Sequence, residues 1–246
     1  MHLDVQDLRN FYYRSTLGRA AQKSLRTQML NIWPEAKGQT VVGYGFAAPL
    51  LRPYLEDARR VIALMPGPQG VMSWPANEPN VSVLTEETRW PIETGHIDKL
   101  VVLHGLETSH HSFDLLEECW RVLGPGGKVL FIVPNRAGVW ARRDGTPFGY
   151  GRPYSVGQLE AELRRHQFVP ERHVGALYQL PSGKRIWMKS APMFERIGGY
   201  MPAMVAGGVV MVEATKQVYP PKGTVARQRR AINVLEGLGT PAVEPT

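Results

Sequence analysis

The sequence predicts an α/β protein with a Rossmann-like, mostly parallel sheet that helices cover on both faces. Strand and helix patterns alternate along residues 39–133, and the strand segments are continuous runs of Val, Ile and Leu. Such runs are typical of parallel strands that are buried on both faces. A glycine-containing segment, Gly43-Tyr44-Gly45, joins the first strand to a helix. The chain has 246 residues, of which 43% are hydrophobic, and this length suits one large domain.

The N-terminal half is expected to contain most of the parallel sheet. Apolar residues at helical spacing, beginning at Leu3, predict an N-terminal helical segment within residues 1–33. A further helix is expected over 47–57, where Pro53 should kink or interrupt it. Residues 66–79 are rich in Pro and Gly and are expected to be irregular. The strands of the parallel sheet are expected at residues 39–42, 60–64, 81–84, 97–104 and 128–133.

The C-terminal half is expected to end differently. A helix over 112–122 leads through a Gly-Pro-Gly-Gly turn into the strand at 128–133. Ser155 is a suitable N-cap for a helix over 156–166. Two more strands are expected, and the predicted boundaries comprise one domain with an insertion and a tail. The two strands are expected at 173–179 and 208–215, and the insertion between them at 182–206. The domain is expected to span 1–218 and the basic tail 219–246.

Composition and charge exclude some classes of protein. A net charge of +7 favours anionic partners in general, and the tail carries part of this excess. We expect that tail to be solvated, while a nucleic-acid-binding arm remains an alternative; no aromatic residue for base stacking follows Tyr219. No leader or membrane span is evident, so a cytoplasmic location without a membrane partner is expected. His110 and His111 are adjacent and lack a matching carboxylate set, so no metal site is predicted.

The glycine segment alone supports more than one interpretation. Glycines at the end of a strand allow close approach of a ligand, and the following helix N-terminus offers free N–H groups. Gly43, Gly45 and Ala48 also satisfy the dinucleotide pattern G-x-G-x-x-A, which would indicate a nicotinamide or flavin enzyme. A tight turn without any ligand is the third interpretation.

Motifs further along the chain resemble the class I S-adenosylmethionine-dependent methyltransferases, in particular the methyltransferase type 11-like branch. Asp98 matches the acid that precedes the family's fourth strand, and Pro125-Gly126-Gly127 matches its turn into the fifth strand. Trp90-Pro91-Ile92 resembles the segment upstream of the fourth strand, and the helix after Ser155 resembles another family element. The resemblance implies a seven-stranded sheet that ends in an antiparallel hairpin, with S-adenosyl-L-methionine as cofactor and a small-molecule methyl acceptor.

The resemblance also implies roles for individual residues. Histidines on or after the fourth strand are candidates for a base that removes a proton from the acceptor. The cluster Phe11-Tyr12-Tyr13 resembles an N-terminal segment that closes over the cofactor, although such a cluster on a helix is more often core packing. The catalytic candidates are His104, His110 and His111. The cofactor-binding candidates are Tyr12, Tyr13, Gly43, Tyr44, Gly45, Met65, Glu86 and His104. Loop residues that could line the acceptor pocket are Tyr150, Arg152, Tyr154 and Trp187.

The sequence departs from the family pattern at two acidic positions. Val41 stands where an acid commonly precedes the first glycine, and Met65 stands nearest the acid that holds both ribose hydroxyls. Hydrogen bonds to a charged group contribute about 1.5–3 kcal/mol each, so their loss weakens binding or ends it. Three hypotheses follow: an active methyltransferase, a methyltransferase-fold binding or regulatory protein without catalysis, and a nicotinamide oxidoreductase.

Overall fold

A computed structural model describes residues 3–178, 181 and 207–218. Within them the chain forms one seven-stranded sheet in the order β3-β2-β1-β4-β5-β7-β6. The strands β1 to β5 are parallel, and β7 is antiparallel to both of its neighbours. The strands are β1 Thr40–Gly45, β2 Arg60–Pro66, β3 Ser82–Thr85, β4 Ile97–Leu103, β5 Leu123–Pro134, β6 Phe168–Ala176 and β7 Val209–Lys216.

Helices cover both faces of the sheet, and each face has its own apolar core. One core packs α1, α2 and α3 on the sheet, and the other packs α4 and α5 on the opposite face. The α-helices are α1 Val5–Arg9, α2 Thr16–Ile32, α3 Ala48–Leu51, α4 Ser112–Val122 and α5 Val156–Arg165. Short helical turns lie at Asn10–Arg14, Arg52–Tyr54, Trp140–Arg142 and Pro147–Gly149. The predicted fold class is therefore confirmed, including the antiparallel terminal strands.

Several boundaries differ from the sequence prediction. The glycine segment is not a loop, because Gly43, Tyr44 and Gly45 continue β1 and pair with β4. β1 is a central strand with partners on both sides up to Tyr44, and its last residue, Gly45, still pairs with Leu103 of β4. The helix expected over 47–57 is only α3 followed by a tight turn that contains Pro53, as the proline predicted. β5 includes the expected Gly-Pro-Gly-Gly turn, and β6 starts earlier than expected.

Motif residues that define the resemblance hold the sheet together at its amino edge. The Asp98 carboxylate accepts a hydrogen bond from the Thr40 backbone N–H at 2.7 Å, which joins the starts of β4 and β1. Glu118 on α4 accepts from the Trp90 N–H at 2.6 Å and thereby fixes the segment before β4. Asp98 and the Trp90 segment therefore explain the fold rather than any chemistry.

The insertion 182–206, with Trp187, and the tail 219–246 lie outside the described residues. No helix in the described part of the chain has the length and apolar character needed to cross a membrane.

Candidate functional site

A buried histidine lies at the carboxyl edge of the sheet, where ligands of open α/β sheets bind. β1 and β4 end side by side at Gly45 and Leu103, and His104 follows directly. The His104 backbone has φ of +52°, a left-handed conformation that few residues other than glycine adopt. Its side chain is fully buried. Unusual backbone conformations of this kind cluster at functional sites.

Both ring nitrogens of His104 have hydrogen-bond partners. Nδ1 lies 3.0 Å from Oε1 of Glu107, and Nε2 lies 2.7 Å from the Tyr12 hydroxyl. Because an ionised carboxylate only accepts, an ionised Glu107 places the His104 proton on Nδ1. Nε2 then accepts the hydrogen bond of the Tyr12 hydroxyl, and its lone pair is the one with which His104 could act as a base. We call Tyr12, His104 and Glu107 the buried triad.

Aromatic side chains enclose the buried triad. The Tyr12 ring stacks on Phe46 at 5.6 Å between centroids, and the Phe148 ring lies 4.9 Å from the His104 ring. Trp140 packs edge-on against Phe148. Burial raises the pKa of Tyr12 well above its usual value, and the nearby Glu107 charge raises it further. The Tyr12 hydroxyl therefore stays protonated and donates to His104.

The two glycines of the motif make close contacts within the protein. A Cβ on Gly43 would lie 2.7 Å from Leu51 Cδ1 and 2.9 Å from the Ala47 Cβ. Gly45 has φ of +77°, and a Cβ there would clash with the Leu103 carbonyl oxygen. Both positions thus need glycine for the packing of α3 and β4 against β1. Their presence is explained without a ligand.

Two buried oxygen atoms beside His104 have no hydrogen-bond partner among the described residues. They are Oε1 of Gln69 and Oε2 of Glu107. The Gln69 amide group donates to the His104 carbonyl oxygen, so its Oε1 belongs to the same site. Buried acceptors without a partner destabilise a protein, and a polar group of a bound ligand would supply the missing partner. Gln69 and Glu107 are therefore suited to bind hydroxyl or cationic groups of a cofactor.

Three other cofactor-binding candidates have contacts of their own within the protein. The Met65 side chain is buried, and its sulfur accepts from the Met72 N–H at 3.5 Å. Tyr44 stacks on Trp90 at 4.6 Å in the other apolar core. Burial raises the pKa of Tyr13 to about 12, and the cations near its hydroxyl belong to Arg26, Arg52 and Arg9. The cofactor roles of Met65, Tyr44 and Tyr13 stay predictions.

Glu86, His110 and His111 lie together in a separate surface cleft of about 560 Å³. This cleft lies between the segments that follow β2, β3 and β4, and both histidines are exposed. The structure therefore groups His110 and His111 with Glu86 and separates them from His104.

Sequence reasoning missed Glu107 and Gln69. The only signal for Glu107 was its position three residues after His104, where a tight turn brings the two side chains together. Gln69 had no signal, because its approach to His104 depends on the irregular segment after β2. Of the proposed pocket-lining residues, Arg152 donates its backbone N–H to the Glu107 carbonyl at 2.8 Å.

Comparisons with known proteins identify the fold. No family model and no curated protein sequence matches the chain. A Thermotoga maritima structure described as an S-adenosylmethionine-dependent methyltransferase, possibly a histamine N-methyltransferase, matches with a TM-score of 0.60 and 14% identity, covering 87% of this chain and 96% of that one. A methyltransferase structure from Aquifex aeolicus matches with a TM-score of 0.54 and 15% identity, covering 88% of this chain and all of that one.

A third match shows how varied this fold is in function. It is the [4+2]-cyclase SpnF, with a TM-score of 0.53 and 15% identity, covering 84% of this chain and 85% of that one. At these identities the matches establish the fold of class I methyltransferases. The function has to be argued from the residues of the site.

Proposed function

We propose that this chain binds S-adenosyl-L-methionine at the carboxyl edge of β1, β2 and β4 and transfers its methyl group to a small-molecule acceptor. The observation that carries this proposal is the buried triad, which together with Gln69 presents two unpaired oxygen acceptors at the carboxyl edge of a methyltransferase fold. A cytoplasmic location belongs to the same proposal.

The residues beside His104 fit such a cofactor. Gln69 Oε1 can accept from ribose hydroxyls, a role for which Met65 has no suitable atom. The Glu107 carboxylate and the faces of Tyr12 and Phe46 suit a cationic group. The bound cofactor supplies a methyl group on an activated, positively charged sulfur. The protein then has mainly to align the acceptor with it.

His104 is the proposed base for an acceptor that must lose a proton. Glu107 fixes the Nδ1 proton and orients the ring, so that Nε2 can take the proton. In this structure the Tyr12 hydroxyl occupies Nε2. Access for an acceptor therefore requires Tyr12 to move away from His104.

Two features of the segment that carries Tyr12 support the proposal of such a movement. Asn10–Arg14 is a π-helical turn, a form that is rare and frequent at functional sites. Ser15 has an extended backbone and separates this turn from α2. We propose that the N-terminal segment opens at Ser15 and closes over the bound cofactor.

Calorimetry on the full chain tests this function. We expect S-adenosylmethionine and S-adenosylhomocysteine to bind and NADPH not to bind. The absence of binding by both adenosyl compounds at millimolar concentration would contradict the proposal. Binding of NADPH alone would instead support a nicotinamide oxidoreductase.

A second candidate is a methyltransferase-fold protein that binds a ligand or partner without catalysis. Val41 and Met65 in place of acids favour it, and so does the closed aromatic packing around His104. This candidate predicts no methyl transfer to any acceptor, even where an adenosyl compound binds. Nucleic-acid binding through the basic tail 219–246 belongs to the same candidate.

A further inference from the structure

A second cleft near the carboxyl edge of the sheet is lined by arginines. It has a volume of about 340 Å³ and lies between the end of β5, the segment 152–154 and one face of α5. Arg136 follows β5, Arg152 lies on the segment, and Arg165 lies on the last turn of α5. The one acidic residue in the lining is Glu162. We call this the arginine cleft.

Two of the three guanidinium groups are available to a ligand. Among the described residues, the side chains of Arg136 and Arg165 have no ion-pair or hydrogen-bond partner. The Arg152 guanidinium lies 6.0 Å from the centre of the Tyr154 ring. By contrast, the neighbouring Arg164 forms an ion pair with Glu160 at 2.9 Å. The cleft therefore holds a surplus of positive charge beside a buried tyrosine, and guanidinium groups bind phosphate and carboxylate in bidentate geometry.

The arginine cleft is connected to the buried triad through backbone hydrogen bonds. Tyr154 pairs with the end of β5, donating to the Pro134 carbonyl at 2.9 Å and accepting from the Arg136 N–H at 2.9 Å. Two residues earlier, the Arg152 N–H donates to the carbonyl of Glu107. Burial raises the pKa of Tyr154, a hydrogen bond with Arg152 lowers it, and the charges of Glu162 and Glu107 raise it.

We propose that the arginine cleft binds the phosphate or carboxylate group of the methyl acceptor, which is therefore an acidic small molecule. That the bound molecule is the methyl acceptor rests on the proposed function, whereas anion binding in the cleft does not depend on it. Arg136 and Arg165 bind the anionic group. The Arg152 backbone N–H donates to the Glu107 carbonyl, so Arg152 lies on the side of the cleft nearest the triad, and the rest of the acceptor extends towards His104.

Nuclear magnetic resonance on the ¹⁵N-labelled full chain tests the proposal. Inorganic phosphate and succinate are titrated separately at constant ionic strength, and the Nε–H signals of the arginines are followed. We expect the signals of Arg136 and Arg165 to shift and that of Arg164 to stay. Tighter binding of phosphate than of succinate identifies a phosphorylated acceptor, and the reverse order identifies a carboxylic acid.

Two adjacent substitutions provide a matched comparison. We expect Arg165→Gln to weaken anion binding about tenfold, because it removes one charge-assisted pair. Arg164→Gln removes the same charge one residue away and is expected to change the affinity less than about twofold, because exposed charges are screened by salt. Equal weakening by both variants would overturn the proposal, as would the absence of shifts at Arg136 and Arg165.

Calorimetry with S-adenosylhomocysteine on the same samples separates the two proposals. Binding of S-adenosylhomocysteine without anion binding in the cleft refutes the cleft alone. Anion binding in a chain that does not bind S-adenosylhomocysteine refutes the proposed function and the acceptor role. We expect Arg165→Gln to bind S-adenosylhomocysteine as the unchanged chain does.

Discussion

His104 is surrounded by apolar rings, and each of its nitrogens has one polar partner. Replacing Tyr12 with Phe removes the partner of Nε2 and leaves that atom buried without a hydrogen bond. We expect the free energy of unfolding to fall by about 1–3 kcal/mol, the usual cost of a buried polar atom without a partner. Urea denaturation measures this change.

A second tyrosine provides the control for Tyr12. Tyr150 is half-buried, and Tyr150→Phe removes a hydroxyl outside the triad. Its free energy of unfolding is expected to change by less than about 0.5 kcal/mol, as for most surface substitutions. If Tyr12→Phe is as stable as Tyr150→Phe, then the hydrogen bond to His104 does not stabilise the closed N-terminal segment.

Gln69 carries the main prediction about cofactor binding. If its free Oε1 accepts a ribose hydroxyl, Gln69→Ala weakens S-adenosylhomocysteine binding about tenfold, because about 1.4 kcal/mol of binding free energy is lost. Gln22→Ala is the matched control, since Gln22 also donates its amide to one backbone carbonyl, that of Pro49. Calorimetry that finds equal affinities for the two variants would exclude a cofactor contact at Gln69.

The residues that the sequence could not place are those whose role depends on tertiary contacts. Asp98 is recognisable from the sequence because it matches the acid that precedes the family's fourth strand, although its partner Thr40 lies on another strand. Gln69 and Glu107 gain significance only when the segment after β2 and the turn after β4 meet at His104. Met65 and Gly45 were correctly placed near strand ends, but the neighbours that bury them come from other elements.

At the scale of elements, replacing two glycines near helix starts with alanine is expected to have opposite effects on stability. A Cβ on Gly18 in α2 would overlap the backbone carbonyl of Phe11, whereas a Cβ on Gly157 in α5 meets nothing within 4 Å. Gly18→Ala therefore has to displace the turn Asn10–Arg14, and we expect it to destabilise the protein by about 1–3 kcal/mol. Gly157→Ala is expected to stabilise it by about 0.4–1 kcal/mol, because alanine restricts the unfolded chain.

Thermal and urea unfolding of both variants measure these effects. Gly18→Ala also bears on the proposed opening of the N-terminal segment, because it disturbs the contact between that segment and α2. If Gly18→Ala unfolds like the unchanged chain, then the turn does not pack against α2 as described here.

Elements with strong local signals were predicted well. α4 occupies the predicted residues 112–122, and α5 begins after Ser155 with the reciprocal hydrogen bonds of a capping box. Boundaries within the sheet were predicted less well. The local sequence Gly43-Tyr44-Gly45 predicts a turn, but hydrogen bonding to the neighbouring strands β2 and β4 keeps these residues in β1. Pairing with β4 likewise overrides the local turn signal in β5, which therefore begins at Leu123 and continues through Gly124.

At the scale of the molecule, the antiparallel strand β7 connects the end of α2 with β6. The buried Glu213 carboxylate on β7 accepts from the Trp33 indole N–H at 2.7 Å and from Arg172 on β6. It thereby fixes the end of α2 against the last strands. A buried carboxylate is tolerated only where such partners compensate for its lost hydration. The N-terminal helices and the terminal strands are thus parts of one folded unit.

This arrangement makes a prediction for the tail 219–246. Among the residues that the structure describes, the sheet and both apolar cores lie between Leu3 and Lys216. If the tail is solvated, as its composition predicts, deleting 219–246 changes the free energy of unfolding by less than about 0.5 kcal/mol. The affinity for S-adenosylhomocysteine is expected to stay the same, since Gln69 and Glu107 are unchanged.

The same deletion distinguishes the two candidate functions. It removes four basic side chains and two acidic ones, so any salt-dependent affinity for nucleic acid through the tail should fall. A loss of DNA or RNA binding, in a chain that never bound an adenosyl compound, favours the binding protein without catalysis. If the deletion instead abolishes S-adenosylhomocysteine binding in a chain that previously had it, then the tail completes the cofactor site. In that case Gln69 and the buried triad are not sufficient to bind the cofactor.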